Sequence, residues 1–479
     1  MPNRSPSKPL NRQLAQLWNR FRLGTALAVA PVVSLSQLQQ CVNGPNTPPP
    51  AVPPTATLST RFQLSDDVFT DRPDVAAWLG RGGAAWLESD GSGGWKAKVA
   101  RLSGGTFHTE ELLGTHHPDS AYGPSVGVDQ AGELTVAYSD GSGIVIQRGE
   151  VTASLGSKET PFVAGSAGDY APALRVNPQG DAVLAWLRSV PVAAAGEPMV
   201  STRRGGVWQP EHWLRAQTNL DARIPRVAIA PDGTAAAGFV LVNGGCVAGT
   251  CSFQPHEHFF ARFAAGGGLL DFGRTQTLDA PVNEPRAFGV GVFPDATLIT
   301  VYQQNGHART LERGVFSGPW TPPASLDTGP GASVTLPVTR VASDGTAVAA
   351  WMVQVSAAPL SYRVDARLRP KGGSWLPEVS LSAAGESASY PVVAAHDGRA
   401  VLAYYSRIGV ADRIVVRLGS SAGWSLPLVL GSCPDVTTGT CGHGGAIAVD
   451  FDPNGSAYVV YSERKTGELG RRMWAVRID

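Results

Sequence analysis

Acidic residues are missing from the first 65 positions; the first is Asp66. Charge of either sign is sparse throughout, at 16% of the chain, against roughly 25% in ordinary globular proteins. Net charge is zero, so nothing favours nucleic acid or an anionic membrane surface as a partner. No apolar run approaches the ~18 residues of a membrane-spanning helix. Cysteine is limited to five residues. No phosphate-binding loop, Ser-His-Asp set or paired-carboxylate motif stands out, and no cofactor or metal is assigned. Gly419-Ser420-Ser421-Ala422-Gly423 matches a nucleophile-elbow string. It precedes Trp424 in a strand-to-strand turn, without the helix an elbow requires.

What is present begins with a leader. Arg4, Lys8, Arg12, Arg20 and Arg22 precede a short apolar run from Leu23 to Leu35. Basic then apolar, and too short to span, is the pattern of a secretory signal. Residues 1–41 are therefore expected to be a signal peptide, 42–57 a stiff Pro-rich linker, and 58–479 the folded domain. Cys41, behind Leu38-Gln39-Gln40, is a candidate lipidation site, with an unmodified cysteine as the other reading. The expected location is extracytoplasmic, secreted or anchored as a bacterial lipoprotein, with membrane contact only through that anchor. Cys246 with Cys251 and Cys433 with Cys441 suit two local disulfides in an oxidising compartment. A structural zinc site is the competing reading of the same pairs.

The 56 glycines and 37 prolines punctuate a repeat. Aligned on an aromatic at the end of an apolar strand, eight copies carry Trp86, Tyr138, Trp186, Phe239, Tyr302, Trp351, Tyr404 and Tyr461. Six residues before each stand Gly80, Gly132, Gly180, Gly233, Ala296, Gly345, Gly398 and Gly455, so only the fifth copy departs. Turns such as Asn177-Pro178-Gln179-Gly180 and Asp452-Pro453-Asn454-Gly455 are hairpin turns in which glycine supplies positive φ. Tyr362–Arg369 and Trp375–Leu381 supply third and fourth strands, the fourth often opening with Gly-x-Trp-x-Pro. The predicted fold is all-β: a β-propeller of eight four-stranded blades. The last copy ends after its third strand. Leu58–Leu64 is expected to complete it, closing the ring and removing both sheet edges. The eight aromatics are read as packing residues.

This organisation resembles secreted bacterial propellers of the broad sialidase-like, BNR-repeat kind. The likeness covers residues 58–479 through architecture and repeat style. Ser89-Asp90-Gly91-Ser92-Gly93-Gly94-Trp95 keeps the Asp-to-Trp spacing of that superfamily's Asp-box, with serine and glycine displaced. Sialidases have six blades against eight copies here, so the resemblance implies architecture rather than a catalytic assignment.

Long, variable connections between second and third strands, such as 189–198, 240–257 and 353–361, share a face with the blade-to-blade links, and the site is expected there. Blade-start positions carry Tyr122, Tyr170, Arg223, Glu284, Arg286, Tyr390 and His443, and innermost strands carry Arg175, Arg226 and Arg340. Tyrosines there can stack on a sugar or peptide, or simply pack the blade junction. Arginines facing a channel can grip a carboxylate or phosphate bidentately, or pair with an acid of a neighbouring blade. His256-Glu257-His258 places two imidazoles on one side of a strand, a metal pair or solvated histidines. Two functions follow. The first is a monomeric binding module that holds a glycan or protein ligand on the long-loop face. The second is a carbohydrate-active enzyme, a glycosidase or lyase, with its site at the channel mouth.

Overall fold

The computed structural model describes residues 52–65, 70–116, 123–162, 168–190, 195–214, 221–247, 250–274, 288–304, 306–314, 320–329, 333–357, 360–409, 411–433, 447–463 and 470–479. Every regular element among them is a β-strand. Val52–Asp479 is one compact unit. The strands form eight antiparallel sheets: blades 1 to 8, over residues 70–116, 125–150, 169–213, 221–274, 289–325, 333–380, 387–433 and 447–478. In each blade the first strand in sequence is innermost. The innermost strands pack in order around the ring, and Thr70–Trp78 of blade 1 packs on Ile447–Phe451 of blade 8. The molecule is the eight-bladed propeller that the repeat predicts.

Closure also follows the expectation. Leu58–Gln63 pairs antiparallel with Arg472–Ile478 as the outermost strand of blade 8. Blade 2 has three full strands, and its fourth position is held by an isolated bridge from Ile146 to Glu159. Its outer edge is therefore covered, though the chain there is too irregular to make a ladder.

All eight repeat aromatics are 0–2% exposed, which makes them the packing residues that hold adjacent blades together. Burial of each contributes roughly 1.5–3 kcal/mol. The tyrosines also satisfy their hydroxyls: Tyr138, Tyr404 and Tyr461 donate to the carbonyls of Leu113, Leu381 and Leu430 at 2.9, 3.1 and 3.3 Å. The turn glycines adopt φ between 71° and 96°, and Ala296 adopts the same left-handed conformation at 62°.

The strand-to-strand connections differ from their reading as loops. In blade 4 the segment 240–257 is a protruding two-stranded ribbon, Ala235–Val247 paired with Thr250–Phe263 along its whole length. In blade 6, Ala347–Ala357 and Leu360–Arg369 do the same. Glycine, asparagine and cysteine break the apolar alternation in Asn243-Gly244-Gly245-Cys246, yet cross-strand backbone pairing continues through them. The fourth strand of blade 6 is shorter than expected, Val379–Ser380.

Polar struts tie the blades at their inner ends. Asp74 Oδ2 of blade 1 accepts from Ser125 Oγ (2.7 Å) and Val126 N–H (3.1 Å) of blade 2. Asp450 Oδ2 of blade 8 accepts from Ala77 N–H of blade 1 at 2.8 Å. Asn177 of blade 3 donates to the Pro231 carbonyl of blade 4 at 3.2 Å. Where blades approach most closely the inner strand needs glycine: a Cβ on Gly289 would lie 2.3 Å from the Thr339 backbone nitrogen of blade 6.

Candidate ligand-binding channel

The inner strands enclose two cavities that meet end to end. The mouth cavity, about 540 Å³, opens on the face of the blade-to-blade links. The smaller one, about 170 Å³, opens on the face of the hairpin turns. Arg175, Val227, Arg340 and Val449 line both, so they form the waist of a through-going channel.

The waist gathers charge from blades far apart in sequence. Blades 3, 4 and 6 supply Arg175, Arg226 and Arg340; blades 1 and 8 supply Asp74 and Asp450. Arg175 Nη1 lies 3.4 Å from Asp74 Oδ2 and donates to the Leu174 carbonyl at 2.8 Å. Arg226 donates to the Pro225 carbonyl at 3.2 Å. Arg340 carries no hydrogen bond or ion pair among the described residues. It is partly exposed to the channel and walled in by the ring. Desolvation pulls its guanidinium down to about 9, the neighbouring Arg175 pulls the same way, and Asp74 and Asp450 oppose them. It stays a cation at neutral pH. Burial pushes the Asp450 carboxyl up to about 6, against the Ala77 N–H and Arg175, which favour its ionised form.

From the waist upward the mouth has two kinds of wall. Blades 1, 3 and 4 present Arg72, Asp74, Arg175 and Arg226; blades 6 and 7 present Leu336, Val338, Tyr390 and Tyr405. Tyr390 is 37% exposed and meets Tyr405 edge-on, with ring centroids 6.3 Å apart at 85°. Its backbone N–H is held by Met352 Sδ at 3.3 Å.

Four residues expected at the site, Arg175, Arg226, Arg340 and Tyr390, are brought together here. Tyr170 is not. It packs beside the core shared by blades 3 and 4, the junction role weighed for such tyrosines. Tyr170 and Tyr390 also differ in register: Tyr390 directly precedes its proline, whereas Ala171 holds that place in blade 3. Arg223 lies on the strand Asp221–Ile229, with its side chain outside the described residues. Tyr122, Glu284, Arg286 and His443 fall outside them altogether, as do Cys41 and Cys441. No disulfide is present among the described residues. The backbone places Cys246 directly opposite Cys251 in the ribbon and Cys433 at the end of Leu428–Cys433. His256 stands at an irregularity of that ribbon, where Leu241 pairs with Glu257 and Val242 with Pro255, so it does not simply alternate with His258. His307 is bonded through Nδ1 to Asp327 at 2.7 Å.

Sequence reading missed Asp74, Asp450, Arg72 and Tyr405. Asp74 and Asp450 look like any strand acid until ring closure makes blades 8 and 1 neighbours. Arg72 carries a signal that was available: a proline seven or eight residues before the turn glycine, in six copies, as Pro73, Pro124, Pro172, Pro225, Pro337 and Pro391. The Asp-box-like string is a turn device. Asp90 Oδ1 accepts from Ser92 N–H (2.8 Å) and Gly94 N–H (2.9 Å), which lowers its pKa. Asp140 builds the same Ser-Asp-Gly-Ser-Gly turn in blade 2.

Fold and site together define an eight-bladed β-propeller with a charge-lined channel through its centre. No protein-family model matches the chain, and no curated protein matches it. Among solved structures it is similar to an ulvan lyase of polysaccharide lyase family PL25 bound to -[GlcA(1-4)Rha3S]-, at 9% identity over 86% of this chain and 95% of that one, with a TM-score of 0.47. It is also similar to the polysaccharide lyase Uly1, at 9% identity over 88% and 99%, TM-score 0.46. A third is the β-propeller domain of the Trilobed protease from Pyrococcus furiosus, at 8% identity over 86% and 95%, TM-score 0.40. The functional reading rests on the channel itself.

Proposed function

We propose that the protein is an extracytoplasmic binding module that holds an acidic glycan in the mouth cavity, with one anionic group of the ligand at the waist. The observation that carries this reading is the convergence of Arg175, Arg226 and Arg340 on one enclosed point, with Arg340 lacking a protein partner among the described residues. Three guanidinium groups face two carboxylates there, leaving an excess of positive charge. An enclosed cation without a counter-ion is costly, and a carboxylate or sulfate oxygen offers it a charge-assisted bidentate partner. Basic leader and Pro-rich linker support export, with Cys41 as an anchor point and the two cysteine pairs as disulfides.

One observation favours a second reading, a carbohydrate-active enzyme. Asp450, held protonated up to a pH of about 6, has the character of a general acid, and Asp74 is a second carboxylate in the same channel. A glycan array, followed by hydrolysis and elimination assays on the hits, separates the two. Binding of acidic glycans that weakens with salt and proceeds without turnover is expected. Retention of neutral glycans alone, or of none, would sink the reading; turnover of the hits would move it to the enzyme.

A further inference from the structure

Five blades share a backbone irregularity at the channel mouth. Arg72, Ala171, Ile224, Leu336 and Tyr390 all lie in the left-handed region, with φ between 49° and 58°. Each directly precedes a proline, a position normally steered to extended backbone. In each blade the pair forms a β-bulge in the innermost strand, and the single residue opposite is the repeat aromatic: Trp86, Trp186, Phe239, Trp351 or Tyr404. Gly123-Pro124 holds the same place in blade 2.

A left-handed non-glycine residue is disfavoured by roughly 1–2 kcal/mol, and here the cost recurs five times at one level of one cavity. Bulges re-aim side chains, and all six pre-proline residues line the mouth cavity. The backbone device is constant while its side chain varies freely: arginine, glycine, alanine, isoleucine, leucine, tyrosine. Packing of the aromatic accounts for the constant part. It does not account for strain carried by side chains as unlike as arginine and tyrosine.

We infer that these bulges form a rim that reads the ligand unit lying above the waist, with Arg72 and Tyr390 as its specificity-determining residues for an acidic sugar unit. The inference rests on the reading of the channel as an acidic-glycan site. Arg72 and Tyr390 stand on blades 1 and 7 and flank blade 8, whose small and apolar Ala448 and Val449 line the same cavity. Arg72 meets the acid group and the Tyr390 ring meets the flat face of the pyranose. The other four rim positions, Gly123, Ala171, Ile224 and Leu336, offer no side-chain hydrogen bond.

The test uses tetragalacturonate and the monosaccharide galacturonate as probes, with calorimetric titration of the wild-type protein, Arg72→Asn, Tyr390→Asn, Tyr390→Phe and Arg340→Met. Asparagine tolerates left-handed backbone, so the bulge is retained. Each rim asparagine variant is expected to weaken the tetramer at least tenfold and leave the monosaccharide unchanged, whereas Arg340→Met weakens both. Tyr390→Phe should bind the tetramer within threefold of wild type. Rim variants that bind both probes as wild type does would overturn the inference while the channel reading stands. A wild-type protein that binds neither probe would remove both. Should the asparagine variants not fold, a wild-type crystal soaked with the tetramer decides: a sugar unit over the Tyr390 ring supports the rim, and an unoccupied rim beside an occupied waist overturns it.

Discussion

A chain that starts at Asp66, without the closing strand, is expected to lose roughly 3–6 kcal/mol of stability and to associate with itself, while a chain that starts at Val52 behaves as the full protein does. Leu58–Gln63 is short and mostly solvent-facing, but its contacts reach two blades. Its backbone pairs with Arg472–Ile478, extended by reciprocal Thr57–Asp479 bonds of 3.1 Å and by Leu64 N–H to the Met473 carbonyl at 2.8 Å. Arg61 stacks on the Trp474 ring at 3.9 Å and pairs with Glu463. Phe62 meets Phe107 of blade 1 at 5.7 Å, and Phe107 in turn meets Tyr458 at 6.1 Å. Removing the strand therefore unpacks the seam between blades 8 and 1. It also exposes an unpaired edge, which recruits strands from other molecules. The magnitude combines the part-buried Phe62 and buried Leu64 side chains with about half a dozen hydrogen bonds, less the entropy of ordering the segment. Urea midpoints and light scattering of the two truncations check it. Equal midpoints would mean that the ring closes without its N-terminal strand.

The second large effect is expected at Asp74. Its carboxylate accepts from Ser125 Oγ and Val126 N–H and faces Arg175. Asp74→Ala takes away the sole printed acceptor of the Val126 N–H, the shorter of the Ser125 hydroxyl's two acceptors and the carboxylate facing Arg175, at a cost of roughly 3 kcal/mol. Asp74→Asn keeps an acceptor and should lose about half as much. The same substitutions remove a negative charge from the waist, so binding of an acidic ligand should strengthen as stability falls. Unfolding by urea and titration with tetragalacturonate read the two effects separately. A stability loss below ~1 kcal/mol for Asp74→Ala would show that Asp74 is not the strut its contacts describe.

How much of this was legible in the chain depended on whether a feature was local. A turn glycine six residues before an aromatic is a two-residue signal within one hairpin. Its seven copies, with Ala296 in the glycine's place in an eighth, gave the blades and, through the incomplete last copy, the closing strand. The bulges were legible only in part. Each proline sits seven or eight residues before the turn glycine, so an alignment at one fixed offset blurs it, and Tyr170 and Tyr390 were matched although one residue separates their registers. The ribbon at 240–257 read as a loop because backbone pairing, which the side chains there do not report, carries it. Asp74 and Asp450 were invisible for a topological reason: they are neighbours only once the ring closes.

The strain at the rim and the Arg340 cation at the waist, unpaired among the described residues, share one physical interpretation. The scaffold of buried aromatics and inter-blade struts is stable enough to hold five left-handed residues and, in Arg340, a guanidinium with no hydrogen bond or ion pair among the described residues, around one cavity. Such tolerated costs cluster where a protein binds.

The central claim is tested most directly by a crystal structure of the protein with tetragalacturonate. The account predicts the oligosaccharide in the mouth cavity, one carboxylate within hydrogen-bond distance of Arg340 and Arg175 and the next sugar at the rim. An oligosaccharide on the outer blade surfaces or the hairpin-turn face, with the waist free of any anion, would contradict it.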